Sequence, residues 1–283
     1  MEERLEKVSL DDFELFYEVY GDGDTAILCL HGNSRSAKDF QFLANPNRKI
    51  ISIHLFLHGY STFDKKRVER GDVRTEEFNV LIELILQKEN INSFHWLAFS
   101  QGGRFTFASF PFFAKKVDSL TLIAPDGLDD KNFYSWSQRQ FLARRLFRYF
   151  LKHPSFLLKS VSFLVKIRVL HPKMNEFMEY YTSDKERFEM AYKTWSSFRN
   201  IRPSVESIKV AIEENSTPFK IIIGEHDRII TAKTARKFSK KIGKPNSVQT
   251  IPNGHNVFKP HIKPVLYEIM ASIVSDSNIN HFD

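Results

Sequence analysis

Four short strings in this chain set reactive side chains beside glycine. The first, Ala98-Phe99-Ser100-Gln101-Gly102-Gly103, follows an apolar run and opens a stretch of helical character. A hydroxyl on such a strand-to-helix turn must sit on a strained backbone while strand and helix pack closely, which demands small residues two before and two after it. Gly102 meets that demand, and Ala98 departs from glycine by a single methyl. The start of the helix would bring the Gln101 amide and a partial positive charge beside an oxyanion formed at the serine. The chemistry such a turn could run is nucleophilic attack on a carbonyl.

The second string is His31-Gly32-Asn33. Here the Asn33 amide is a candidate second oxyanion donor, Gly32 lets the backbone turn close to a substrate, and His31 reads as a structural residue that holds the loop by hydrogen bonds. An ordinary strand-ending turn is the plainer reading. The third string runs from Ile221-Ile222-Ile223 through Gly224-Glu225-His226-Asp227. A carboxylate at that position can orient a histidine on a neighbouring loop, and Glu225, His226 and Asp227 compete for the inward-facing place. The fourth is Pro252-Asn253-Gly254-His255-Asn256, where a loop histidine is free to shuttle a proton. With ten histidines in the chain, a surface residue is the competing reading.

The elements that must position these strings alternate. Val8 to Leu10 and Phe13 to Tyr20, separated by Asp11-Asp12, read as a hairpin rich in aromatic and β-branched residues. Ala26 to Leu30 is a continuous apolar run of the kind a strand buried on both faces requires. A helix around Ala37 to Ala44, a strand Lys49 to Phe56, a helix Thr75 to Lys88 with Thr75 as its N-cap, a strand Ser93 to Phe99 and a helix Gly102 to Lys116 follow. Strand Asp118 to Ala124 comes next, and after a long interval strand Phe219 to Ile223, helix Thr231 to Ile242, strand Ser247 to Ile251 and a last helix from Lys263 to Ser275. The fold class expected is α/β: a mostly parallel central sheet flanked by helices. Each of the four strings falls at the carboxyl end of a strand, where open α/β sheets bind ligands.

The interval 126–217 breaks the alternation. It is rich in Phe, Tyr, Arg and Lys, is punctuated by Pro154, Pro172 and Pro203, and has helical periodicity over Ser137 to Lys152 and Phe156 to Val169. It is expected to be a helical lid inserted into a core made of 1–125 and 218–283. Its aromatic residues Phe133, Tyr134, Trp136, Tyr180, Tyr181 and Trp195 could wall an apolar pocket or form the lid's own core. The stretch Arg139 to Lys152 interleaves apolar and basic residues, as in helices that lie on anionic membranes. The reading adopted is that its apolar face packs on the protein itself, so no membrane contact is expected.

Composition narrows the classes. An apolar fraction of 42% and 27 Phe among 283 residues supply a core and argue against disorder. The lone Cys29 lies in an apolar run and reads as packing, with no intramolecular disulfide possible. The charged start, Met1-Glu2-Glu3-Arg4, does not resemble a signal peptide, and no run approaches the ~18 apolar residues of a membrane span, so the cytoplasm is the expected compartment. The net charge of +7 comes from 41 basic and 34 acidic residues, largely interspersed, with no nucleic-acid motif. No nucleic-acid partner is expected, and oligomeric state is left open.

Taken together, His31-Gly32-Asn33, Ser100-Gln101-Gly102-Gly103, Gly224-Glu225-His226-Asp227 and Gly254-His255 give the chain its resemblance to the α/β-hydrolase superfamily, in its lid-bearing branch. The likeness covers nearly the whole chain outside 126–217. It implies a nucleophile, acid and base in the order Ser100, Asp227, His255, and so selects Asp227 from its neighbours. It further implies an oxyanion hole from the amides of Asn33 and Gln101, hydrolysis of a carboxylic ester or related acyl bond, and no metal or organic cofactor; a small-molecule substrate with a small to medium apolar acyl group is the expectation beside it. Relatives that work from an aspartate nucleophile are disfavoured by Ser100. Two departures stand out: His54 where the family has an aspartate, and Leu57 where it has a glycine. Carbon-carbon bond hydrolysis of a diketone acid and a non-catalytic ligand-binding role are the alternatives on the same scaffold.

Overall fold

In the computed structural model, which describes residues 3–71, 73–128, 137 and 140–279, the apolar runs join into one eight-stranded sheet. The chain begins with β1 (Glu3–Leu10), β2 (Phe13–Tyr20), β3 (Thr25–Leu30) and β4 (Arg48–Ile53), followed by α1 (Lys66–Arg70) and α2 (Thr75–Lys88). Next come β5 (Phe94–Phe99), α3 (Gln101–Phe113) and β6 (Val117–Ile123). Four helices follow: α4 (Phe141–Lys152), α5 (Pro154–Lys166), α6 (Lys173–Thr182) and α7 (Lys185–Ser197). The chain ends with α8 (Val205–Asn215), β7 (Phe219–Gly224), α9 (Ala232–Lys241), β8 (Val248–Ile251) and α10 (Lys263–Ile279).

Across the sheet the strands lie in the order β1-β2-β4-β3-β5-β6-β7-β8. The β1/β2 and β2/β4 pairs are antiparallel and every later pair is parallel. All six residues of β5 are buried, as are the last five of β3, because a parallel strand with helices on both faces has no wet side. This is the mostly parallel sheet that the alternating runs lead one to expect. From β3 the chain steps outward to β4 and then returns to the other side of β3 for β5. The reversal makes the carboxyl ends of β3 and β5 the switch point at which open α/β sheets bind ligands.

Aromatic side chains fill much of the space between sheet and helices. Phe78 of α2 meets Phe105 of α3 with ring centres 4.9 Å apart, and Phe113 meets Trp96 of β5 at 5.7 Å. The start of α2 differs from expectation, since Arg74 rather than Thr75 is the capping residue. Its amide donates to the Glu77 carboxylate at 2.9 Å, so an acid in the first turn satisfies a donor that no Thr75 hydroxyl reaches.

The chain forms two compact units. The first comprises Met1–Asp64, Val73–Asp130 and Ile201–Asp283, and the second Lys65–Asp72 and Lys131–Asn200. The interval 126–217 is therefore divided. Helix α8 packs on α3 in the first unit, with Ile208 and Ile212 fully buried, while α1 joins the second. In the second unit Leu157, Val161 and Phe188 form the buried centre, with Phe147, Phe150, Leu151, Met174 and Tyr181 packed around it. The Arg199 guanidinium donates to the carbonyls of Glu69 and Arg70 and so binds α1 to the end of α7. Of the aromatic residues singled out in the interval, Tyr180 is exposed and Trp195 buried, whereas Phe133, Tyr134 and Trp136 lie outside the described residues. Among the described residues no helix is long and apolar enough to cross a membrane.

Because Phe105 is fully buried against Phe78 while Phe112, on the same helix, is 67% exposed, the two respond differently to truncation. Phe105→Ala is expected to lower unfolding free energy by about 3–5 kcal/mol. Phe112→Ala should change it by no more than about 0.5 kcal/mol. Urea midpoints followed by circular dichroism check the contrast.

Candidate active site

Ser100 occupies the single position between the end of β5 and the start of α3. Its backbone has a positive φ, with φ 49° and ψ −116°, a sparsely populated conformation that costs a residue with a Cβ on the order of 1–3 kcal/mol. Three backbone bonds hold it there: the Ser100 amide donates to the Ile123 carbonyl at 3.0 Å, and its carbonyl accepts from the amides of Asp126 at 2.8 Å and Gly103 at 2.9 Å. The small neighbours are a geometric requirement. A Cβ at Gly102 would lie 2.4 Å from the Leu30 carbonyl oxygen, and one at Gly103 would lie 2.4 Å from Pro125 Cβ. Ala98, fully buried, sits in register with Leu30 of β3 and Leu122 of β6.

His255 follows β8 by four residues and Asp227 follows β7 by three. The His255 Nδ1 lies 2.8 Å from Asp227 Oδ2, and its Nε2 lies 3.1 Å from Ser100 Oγ. The other carboxylate oxygen, Asp227 Oδ1, accepts from the amides of Ile229 and Ile230 at 2.8 and 2.9 Å. With its side chain fully buried and Oδ1 taken by two amides, Asp227 turns Oδ2 to the ring as an acceptor. Nδ1 must then carry the imidazole proton, which leaves Nε2 bare and turned to the serine hydroxyl. The His255 ring lies against Phe99 at 5.2 Å, and Phe258 meets Phe99 edge-on at 5.0 Å. Glu225 and His226, the other candidates on that loop, are exposed.

The loop after β3 comes up against the serine. A Cβ at Gly32 would stand 2.8 Å from the Phe99 ring and 3.0 Å from Ser100 Cβ, so the chain can pass there only as glycine. Among the described residues neither the Asn33 amide nor the Gln101 amide donates to a protein acceptor. Gln101 directly follows Ser100 as the first residue of α3, and Asn33 follows the Gly32 that meets Ser100.

Two histidines fix this loop, and only one of them was singled out by sequence. His31 Nδ1 lies 2.7 Å from the Gly32 carbonyl, and its Nε2 accepts from the Leu55 amide at 3.0 Å. His58 Nδ1 lies 3.0 Å from the Phe56 carbonyl, and its Nε2 accepts from the Ser34 amide at 2.9 Å. Each ring faces an acceptor on one nitrogen and a donor on the other, so both are neutral with the proton on Nδ1. Burial drives the pKa of His31 well below its usual 6.5 and that of His58 below it as well. No residue type near His58 signals this role, because its partner Ser34 is 24 positions away.

The two departures from the family pattern have physical consequences. His54 Nε2 lies 3.0 Å from Glu18 Oε1 on the adjacent β2, so this histidine is paired with an acid of another strand. Leu57 takes φ 67°, the left-handed backbone that glycine adopts freely, and its amide donates to the Ser61 carbonyl at 3.0 Å. Among the described residues no group of three or more His, Cys, Asp or Glu is placed to hold a metal ion.

Sheet, elbow and loops together define the alpha/beta hydrolase fold. The family model for that fold matches residues 25–261, and the chain belongs to this family. No curated protein matches the chain. Its fold is similar to that of an alpha/beta hydrolase enzyme from a Medee basin deep-sea metagenome library, at 12% identity and TM-score 0.69, covering 95% of this chain and 97% of that one. A thermophilic esterase from Thermogutta terrifontis is similar at 15% identity and TM-score 0.68, covering 97% and 99%. A haloalkane dehalogenase from Bradyrhizobium elkani is similar at 17% identity and TM-score 0.59, covering 97% and 100%. An esterase and a dehalogenase both share this architecture, so the fold alone does not select the reaction.

Two expectations follow from the geometry. Gly102→Ala should destabilise the protein by about 1–3 kcal/mol, because the new methyl meets a backbone carbonyl that cannot move aside. The unfolded imidazoles of His31 and His58 take up protons near 6.5 while the folded ones resist, so acid favours the unfolded chain. Unfolding free energy should therefore fall as pH drops from neutral to about 5, and less steeply in His58→Leu, whose stability at neutral pH is itself lower by about 1–3 kcal/mol. Urea titrations across pH check both.

Proposed function

We propose that the protein is a serine hydrolase that cleaves a carboxylic ester through an acyl-enzyme. The observation that carries this reading is the His255 imidazole spanned between the Asp227 carboxylate and the Ser100 hydroxyl. His255 Nε2 takes the hydroxyl proton as Ser100 Oγ bonds to the ester carbonyl carbon, and Asp227 steadies the imidazolium through Nδ1–H. The negative charge on the carbonyl oxygen is held by the amides of Asn33 and Gln101. Collapse expels the alcohol, which takes the proton from His255, and leaves the acyl group on Ser100. Water then attacks the acyl carbon, gives a proton to His255, and releases the carboxylic acid as that proton returns to Ser100 Oγ.

The acyl group expected is small to medium and apolar, in keeping with the Phe99 and Phe258 rings beside His255. Dehalogenation is disfavoured, because the fold's relatives that run it do so from an aspartate where this chain has Ser100. The helical unit leaves the core after β6, the strand beside β5 in the sheet, and the chain rejoins the core at α8; we assign that unit the part of a lid. The cytoplasm is the proposed compartment.

A fluorophosphonate probe should label the wild-type protein and fail to label Ser100→Ala. On a series of nitrophenyl esters, Ser100→Ala is expected to lower kcat/KM by about 10,000-fold or more, and Asp227→Asn by about 10,000-fold through loss of the productive imidazole tautomer. A wild-type protein that neither labels nor hydrolyses any chain length would instead support a binding role.

A further inference from the structure

The second unit carries an unpartnered face whose pattern is regular. Along α4 and α5 a bulky apolar residue recurs every seven positions, at Leu142, Tyr149, Phe156 and Phe163, and a cation follows each by three, at Arg145, Lys152, Lys159 and Lys166. Seven residues are close to two helical turns, so within each helix the apolar members share one stripe and the cations share its flank. All eight side chains are exposed, the apolar ones at 74%, 46%, 52% and 60%. The two stripes meet where Tyr149 touches Phe156, with ring centres 5.9 Å apart. The face that does pack is a different one, with Phe147, Phe150 and Leu151 turned to the unit's centre. The sequence expectation of an inward apolar face thus accounts for those three residues and leaves the stripe in water.

Charge narrows what can cover it. Between residues 131 and 175 there are ten Lys and Arg and no Asp or Glu, leaving 31 Lys and Arg against 34 Asp and Glu in the rest of the chain. Among the described residues none of the four flanking cations is ion-paired. A second copy of this face would meet its own positive charge, whereas a surface that is apolar in depth and anionic at its boundary matches both halves of the pattern.

We infer that the α4–α5 face docks on an anionic phospholipid surface, with the stripe seated among the acyl chains and the cations at the headgroups. Docking of this kind does not depend on the catalytic reading and would survive its failure. Full-length protein and Ser100→Ala are mixed with vesicles of phosphatidylcholine alone or phosphatidylcholine with phosphatidylglycerol, and sedimented at low and high salt. Both proteins are expected to sediment with the anionic vesicles and remain free of the neutral ones. Replacing the four cations by Gln should weaken binding on the order of 100-fold or more. Leu142→Ser with Phe163→Ser should abolish the part of the binding that resists salt, with melting temperature unchanged as a control for folding. Failure to bind anionic vesicles at low salt would overturn the proposal. So would binding that the double serine variant retains in full, since charge alone would then suffice. A concentration-dependent dimer that the serine changes dissolve and vesicles do not compete with would assign the face to a second copy instead.

Discussion

The positive-φ backbone at Ser100 depends on close approaches that two glycines, Gly32 and Gly102, allow. A Cβ at Gly102 would strike the Leu30 carbonyl, and one at Gly32 would strike the Phe99 ring and Ser100 itself. Those contacts bring the end of β3 and the start of α3 to near-contact distance. The strain at one residue is offset by two backbone hydrogen bonds to neighbouring segments, and its effect is to push the hydroxyl out of the sheet, where a helix would otherwise bury it.

From that position the remaining groups are set by hydrogen-bond logic rather than by proximity alone. Asp227 has its second oxygen occupied by two amides, so it can orient His255 without competing for the proton. His31 and His58 each meet one acceptor and one donor, and protonating either would press an N–H against an amide N–H. Three imidazoles therefore sit near the same strand edge with their tautomers fixed by different partners. Only His255 has its free nitrogen turned toward a group that can give up a proton, which separates the candidate base from the two that hold the loop.

Much of this was legible in the sequence because parallel strands advertise themselves. Ala26 to Leu30 is apolar without alternation, Phe94 to Phe99 is interrupted only by His95, and the strings bearing Asn33 and Ser100 adjoin those runs. The spacing of Ser100, Asp227 and His255 could be read only through the resemblance, since nothing local distinguishes Asp227 from Glu225. The structure separates them by burial. What could not be read were features made by distant partners: the His58 contact to Ser34, the Glu18 carboxylate that serves His54 from another strand, and the Arg199 guanidinium that ties α1 to α7. Leu57 shows the limit from the other side. Its departure from glycine was visible, yet only the fold reveals that the left-handed backbone is kept regardless.

Whole-chain composition does not show where the charge is gathered, and the reason is physical. A net charge of +7 spread over 283 residues reads as a solubilising surface, and the count of acids close to the count of bases supports that view. Electrostatic attraction to a surface depends on local density within about a Debye length, roughly 8–10 Å, and not on the total. Helices α4 and α5 gather cations on one flank with no acid between them, while the rest of the chain carries slightly more acid than base. The same averaging hides the apolar stripe, because an amphipathicity test on Phe141–Lys152 finds one polar and one apolar side and does not ask whether the apolar side is one stripe or two. Here it is two, of which the fold uses one.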